Sequence, residues 1–142
     1  MQVLIIEDNE GDQRIIQEAF KKSNPAPELI FVKNTDAAMH YLKQGNVKPE
    51  PQIILLDLNL PCKNGKDFLK ELKTDQQFKH IPVLILTSSQ AEKDIRESYA
   101  LGASCYLKKP MQFQEFFDMI DAISKFWLKE VIFSPPNSNH VS

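Results

Sequence analysis

Two acidic stretches each follow directly on a run of Val, Ile and Leu. Glu7 and Asp8 come after Val3 to Ile6, and Asp57 comes after Ile53 to Leu56. Thr87 closes a third such run, Val83 to Leu86, ahead of Ser88 and Ser89. Lys108, Lys109 and Pro110 follow Tyr106 and Leu107. If the apolar runs are neighbouring strands, three carboxylates from two strands meet a hydroxyl and an ammonium along one edge of a sheet. Crowded carboxylates repel one another, and a hard divalent cation relieves the repulsion. Magnesium favours a few carboxylates, a carbonyl and several waters. Such a cation also neutralises charge in phosphoryl transfer. Thr87 adds a hydroxyl donor and a nearby lysine a fixed positive charge. The set suits the holding of a phosphoryl group on an aspartate.

Each residue taken singly has a plainer reading. Glu7-Asp8 reads as a solvated loop, Asp57 as a turn cap, Thr87 as an ordinary strand end, and Lys108-Lys109-Pro110 as a solvated turn. Their joint placement after the first, third, fourth and fifth apolar runs favours the chemical reading. The second run ends in Lys33 and Asn34, which supply neither acid nor nucleophile.

The elements that must position these groups follow from periodicity. Five short apolar segments recur: Val3 to Ile6, Leu29 to Val32, Ile53 to Leu56, Val83 to Leu86, and Tyr106 to Leu107 with their flanks. The first, third and fourth are nearly unbroken Val, Ile and Leu, as expected of parallel strands covered on both faces. Helical spacing fills the intervals. Ile15, Ile16, Ala19 and Phe20 share one face, as do Ala37, Ala38, Tyr41 and Leu42. Phe68, Leu69 and Leu72 mark the third helix, and Ala91, Ile95 and Tyr99 the fourth. Phe113, Phe116, Phe117, Ile120, Ile123 and Trp127 form the inward stripe of the fifth. Strand and helix alternating five times imply a parallel sheet with right-handed crossovers and helices on both faces. In such a sheet ligands collect beyond the carboxyl ends of the strands, where the charged residues stand. Loop signals separate the units: Asn24 to Pro27, Gln44 to Asn46, Lys48 to Pro51, Pro61 to Gly65, and Ile81-Pro82.

The 142 residues fit one domain, expected over 1–133, with a polar, Pro-rich stretch at 134–142 expected to be a mobile tail. A net charge of -2 gives no basic excess for nucleic acid or for an anionic membrane surface. No apolar run approaches the ~20 residues of a membrane helix, and the opening residues lack a signal-peptide pattern. Cys62 and Cys105 make no disulfide framework, and His40, His80 and His140 are scattered. Cys62 reads as incidental packing and Cys105 as a small buried residue. The expected compartment is a reducing cytoplasm.

Four stretches together resemble the receiver domain of bacterial response regulators. They are Ile5 to Asn9; Ile53 to Pro61 with Gly65; Val83 to Ser88; and Gly102 to Pro110. The resemblance runs from about Val3 to Trp127. It implies a flavodoxin-like (βα)5 fold, a doubly wound parallel sheet of strand order 2-1-3-4-5. It further implies that Glu7, Asp8, Asp57 and the Asn59 backbone carbonyl bind magnesium, and that Asp57 is the phosphoacceptor. Thr87 would bond the phosphoryl oxygen. Lys109 would be the lysine of the site, with Lys108 pointing elsewhere and the Lys109–Pro110 bond cis. Tyr106 would be the switch aromatic, turning inward as the Thr87 hydroxyl moves. Within the family, the stretch Glu7 to Asp12, the turn Leu58 to Pro61 and the ending Phe126-Trp127-Leu128 with Val131 beyond look like small regulators partnered with phytochrome-type, light-sensing histidine kinases. Cys62 and Lys63 after Pro61, and Ser88 where alanine is common, are mild departures. Ser88 bears on access to Asp57 and so on phosphate lifetime.

The expected function is that of a single-domain regulator in a phosphorelay and not an enzyme. A histidine kinase supplies the phosphoryl group, and the output is a protein contact or onward transfer. A haloacid-dehalogenase-type phosphatase would need a second aspartate at position 59, where Asn59 stands. A flavodoxin would need a phosphate-binding loop where Glu7-Asp8-Asn9-Glu10 would repel phosphate. A scaffold that keeps the fold without the chemistry is the remaining alternative. Met119, Phe126, Leu128, Val131, Ile132 and Phe133 exceed what one inward stripe needs, so a homodimer through the C-terminal side is expected.

Overall fold

The computed structural model describes residues 1–44, 50–60 and 65–135. Five strands alternate with five helices: β1 Gln2–Ile6, α1 Glu10–Lys21, β2 Glu28–Val32, α2 Thr35–Lys43, β3 Ile53–Leu56, α3 Gly65–Thr74, β4 Val83–Thr87, α4 Glu92–Ala100, β5 Cys105–Lys108 and α5 Phe113–Lys125. The strands form one parallel sheet in the order β2-β1-β3-β4-β5. The expected flavodoxin-like architecture is therefore present. The loop signals at Gly45 to Pro49 and Pro61 to Asn64, Cys62 among them, lie outside the described residues. So do residues 136–142 of the expected tail.

The unbroken apolar strands follow from burial on both sides. Leu4, Ile6, Ile54, Leu56, Val83 and Ile85 face a layer made by α2 and α3, with Phe68, Leu69 and Leu72 packed against them. Their alternate neighbours Val3, Ile5, Ile53, Leu55, Leu84 and Leu86 face α1 and α5, through Ile16, Phe20, Phe116 and Ile120. Each such large side chain contributes about 1.5–3 kcal/mol when fully buried. The three central strands thus carry most of the cohesion. At the two edges β2 and β5 are only half-buried.

Two glycines are required by close approach or by backbone sign. A Cβ on Gly65 would lie 3.1 Å from Leu58 Cα and 3.2 Å from the Asp57 carbonyl oxygen. The start of α3 therefore rests directly on the backbone that presents Asp57. Gly102 has φ +105°, a region that L-residues other than glycine rarely occupy. Its place beside the Lys73 stem lets that lysine donate to the Ile81 carbonyl at 2.6 Å and the Lys79 carbonyl at 3.1 Å. Lys73 has no carboxylate among these partners, and burial pulls its pKa down.

Three side-chain expectations need correction. In α4 the buried residue is Ser98, while Tyr99 is 48% exposed and Ala91 lies outside the helix as its N-cap. The helix lies at the β5 edge, so its apolar residues have little sheet to cover. In α5 the buried residues are Phe116, Ile120, Ile123 and Ser124, and Phe113 is 58% exposed. Phe116 takes the inward position of the first turn, and Phe113 stacks on Phe117 instead, beside Lys21 and Lys22 of α1. Finally, of the residues expected to exceed the inward stripe, Met119, Leu128 and Phe133 pack partly against the core, beside Trp127. A π-helical turn at Phe126–Glu130 bends the chain after α5, so that Phe133 meets the Trp127 ring at 6.4 Å. Part of the surplus apolar surface is thereby folded back on its own domain, leaving Phe126 and Ile132 exposed.

Candidate functional site

The carboxyl ends of β1, β3, β4 and β5 meet at one edge, and backbone hydrogen bonds fix each departing chain. Glu7 N–H donates to the Val32 carbonyl at 3.0 Å, and Asp57 N–H to the Ile6 carbonyl at 3.2 Å. Lys109 N–H donates to the Thr87 carbonyl at 2.8 Å. Parallel register thus sets Glu7, Asp57, Thr87 and Lys109 side by side. The Asn9 side chain accepts from Asp12 N–H at 2.8 Å and caps α1, which starts the helix directly after the acidic pair.

Glu7, Asp8 and Asp57 each bring a carboxylate oxygen within 4.8 Å of the other two. Glu7 and Asp57 are buried, 2% and 6% exposed. Lys109 Nζ lies 2.5 Å from Glu7, 2.9 Å from Asp12 and 3.0 Å from Asp57. Burial works against the Lys109 charge, but hydrogen bonds to Glu7 and Asp12 and the charges of Glu7 and Asp57 outweigh it, so its pKa lies above the ordinary lysine value. Burial pushes the Glu7 carboxyl above its ordinary value even with Lys109 beside it. One ammonium is set against the carboxylates of Glu7, Asp8, Asp12 and Asp57, so negative charge remains in excess. Hard oxygen donors with excess negative charge fit a hard divalent cation, and Glu7, Asp8 and Asp57 supply them.

The other expected residues close the site. Asn59 N–H donates to Asp57 Oδ1 at 3.0 Å, and its side-chain amide donates to Thr87 Oγ1 at 3.1 Å and to Ser88 Oγ at 3.3 Å. Thr87 is fully buried. The Tyr106 hydroxyl donates to the Ser89 carbonyl at 3.0 Å, in the loop that Thr87 opens. Lys108 is exposed and Lys109 points into the site, as expected. The expected cis bond is not found: Lys109–Pro110 is trans, and among the described residues the cis bond is Asn24–Pro25. The trans form is favoured by about 0.5–1 kcal/mol in X–Pro bonds. The lysine is aimed instead by the backbone bond to Thr87 and by its carboxylate partners.

Sequence reasoning missed Asp12 and Gln13. Asp12 is the third residue of α1, one helical turn beyond Asp8, and reaches Lys109 from the helix. Gln13 donates from Nε2 to the Glu7 carbonyl at 2.6 Å. The capping pattern Asn9-Glu10-Gly11-Asp12 was the available signal, since it places position 12 in the first turn facing the strand ends.

Residues 3–121 match the response regulator receiver domain. The chain is 42% identical over 132 residues to the response regulator Rcp1 of Synechocystis sp., covering 91% of this chain and 90% of that protein. The crystal structure of the phosphorylated cyanobacterial phytochrome response regulator RcpA superposes with a TM-score of 0.90 at 38% identity, over 94% of this chain and 98% of that one. The Mn2+-bound form of Rcp1 gives a TM-score of 0.88 at 40% identity, over 94% and 99%.

Proposed function

The chain belongs to the response regulator receiver family, and from that premise we propose that it accepts a phosphoryl group on Asp57 from a histidine kinase. The supporting observation is the convergence of Asp57 with Glu7, Asp8 and Lys109, all on strand ends, in a pocket of excess negative charge. An Asp57 carboxylate oxygen attacks the phosphorus of a phosphohistidine. A P–O bond forms, the P–N bond breaks, and the imidazole leaves with the electron pair. Magnesium, held by Glu7, Asp8, Asp57 and the Asn59 carbonyl, would neutralise charge on the transferring group. Lys109 supplies a second cation beside Asp57, and the Thr87 hydroxyl, which accepts from the Asn59 amide, donates to the phosphoryl oxygen.

The signal then travels through Thr87, Ser89 and Tyr106 to α4. Little apolar burial holds that helix: Ser98 is its buried residue. Lys66 of α3 anchors it by ion pairs to Asp94 at 2.5 Å and Glu97 at 2.7 Å, and Asp94 bonds the Ser89 hydroxyl. An element held by polar contacts rather than by core has alternative arrangements close in free energy, which a phosphoryl group can bias. The likeness to the phytochrome response regulator RcpA supports a phytochrome-type kinase as donor. Among the described residues no helix is long and apolar enough to cross a membrane. Two cysteines without a disulfide framework suit the reducing cytoplasm.

Incubation with acetyl phosphate and magnesium, followed by intact mass measurement, should show one added phosphoryl group, and chelation of the metal should prevent it. Absence of labelling under saturating donor and metal, in folded protein, would favour a scaffold that keeps the fold without the chemistry.

We propose further that the chain forms a homodimer through its C-terminal side. The support is narrower than the sequence suggested, because it rests on exposed Phe126 and Ile132 after the fold-back of Leu128 and Phe133. Sedimentation at micromolar concentration, with and without phosphodonor, should give a dimer that Phe126→Ser with Ile132→Ser dissociates. A monomer in both states contradicts it.

A further inference from the structure

Lys109 has three carboxylate partners, but they are not equivalent. Glu7 and Asp57 also belong to the oxygen cluster within 4.8 Å that is suited to a divalent cation. Asp12 does not: it comes from the first turn of α1, reaches Lys109 Nζ at 2.9 Å, and is 26% exposed at its side chain. Lone pairs that Glu7 and Asp57 turn toward a cation are withdrawn from Lys109, and the ammonium is then left beside a second positive charge. Repulsion between the two cations then weakens the hold of the site on both. Asp12 is the one partner of Lys109 that keeps its whole charge available to the lysine when the cluster is occupied.

We propose that Asp12 is a positioning residue that anchors the Lys109 ammonium, so that lysine and divalent cation occupy the site together. The inference rests on the reading of Glu7, Asp8 and Asp57 as the metal site. In its absence Lys109 falls back on Glu7 and Asp57 and competes for the same oxygens. The geometry for this competition is already present, with Lys109 2.5 Å from Glu7 and 3.0 Å from Asp57. The α1 position is fixed independently, because Asn9 caps the helix through Asp12 N–H, a backbone bond that a side-chain substitution leaves in place.

The test is a double-mutant cycle on the full chain, read by calorimetric titration with magnesium alone. Asp12→Asn should raise the magnesium Kd by about tenfold, the scale of a lost close charge contact. In a Lys109→Met background the same substitution should change Kd by less than about twofold, because the competitor is gone. Asp12 also attracts the cation through space, and the cycle separates the two effects: an equal weakening in both backgrounds means through-space charge only and overturns the proposal. An unchanged Kd for Asp12→Asn overturns it as well. Wild-type protein that binds no magnesium would overturn the metal-site reading and this inference together. Asp12→Glu, which keeps the charge on a longer arm, should recover part of the affinity. In the magnesium-saturated wild type the Lys109 Nζ resonance, identified by its loss in Lys109→Met, should move on Asp12→Asn. A resonance that stays in place contradicts the anchor directly.

Discussion

Magnesium affinity is expected to fall by about 100-fold or more when Glu7→Gln and Asp8→Asn are combined, with the protein still folded. The pair supplies two of the three charged oxygens of the cluster. A factor of 100 corresponds to about 3 kcal/mol. Even at an effective dielectric constant of 20, a unit charge pair about 4 Å apart interacts by about 4 kcal/mol. The loss of two such partners for a divalent ion therefore exceeds the threshold comfortably, after allowance for the solvation the amides regain. Stability of the metal-free protein should move the other way. Burial raises the Glu7 pKa in the folded state, so folding disfavours its charged form relative to the unfolded chain. Its contribution is most favourable below the unfolded-state pKa and is lost as pH rises through the folded-state value. At neutral pH Glu7 is thus a cost in the absence of metal, and the neutral variant should unfold at higher urea concentration than wild type. Lys109 keeps Asp12 and Asp57 as partners. Calorimetric titration together with urea unfolding checks both halves; unchanged magnesium affinity would place the metal elsewhere.

Asp57→Asn is expected to abolish phosphorylation while leaving the fold intact. The substitution removes the nucleophile and one negative charge, but it changes little else. Asn59 N–H can donate to the amide oxygen where it now donates to Asp57 Oδ1, and Lys109 retains Glu7 and Asp12. The Ile6 and Leu56 packing beneath is untouched, since both lie in the α2 and α3 layer. Far-ultraviolet circular dichroism should therefore match wild type, and intact mass after acetyl phosphate and magnesium should show no adduct. An adduct at wild-type level on the Asn variant would move the acceptor to another side chain.

How much of this was legible in the sequence depends on how strongly local chemistry constrains each residue. The central strands could be read because Val3 to Ile6, Ile53 to Leu56 and Val83 to Leu86 are buried on both faces, which leaves no polar alternation to confuse them. Glu7, Asp57, Thr87 and Lys109 could then be placed together, since parallel strands present their carboxyl ends at one edge and the family resemblance implies their order. Helix α4 was harder to read. Its apolar spacing runs through Ile95 and Tyr99, yet Ser98 is the buried residue, because an edge helix with little sheet beneath it is oriented by Lys66, Asp94 and Glu97 rather than by an apolar stripe. The role of Asp12 was hidden for a related reason. A carboxylate in a helix's first turn is favoured by the helix dipole whatever lies opposite, so its type alone does not announce a lysine just beyond β5. The trans Lys109–Pro110 bond and the exposed Phe113 depend on the path of one connection between β5 and α5, which residue types leave open.

Reductive trapping reads directly whether Asp57 carries the phosphoryl group. Borohydride reduces an aspartyl phosphate to homoserine, a change that peptide mass mapping assigns to a single residue. After incubation with acetyl phosphate and magnesium, homoserine is expected at position 57, with aspartate unchanged at positions 8 and 12. Homoserine at either of those positions, with Asp57 intact, would place the phosphoryl group on another carboxylate.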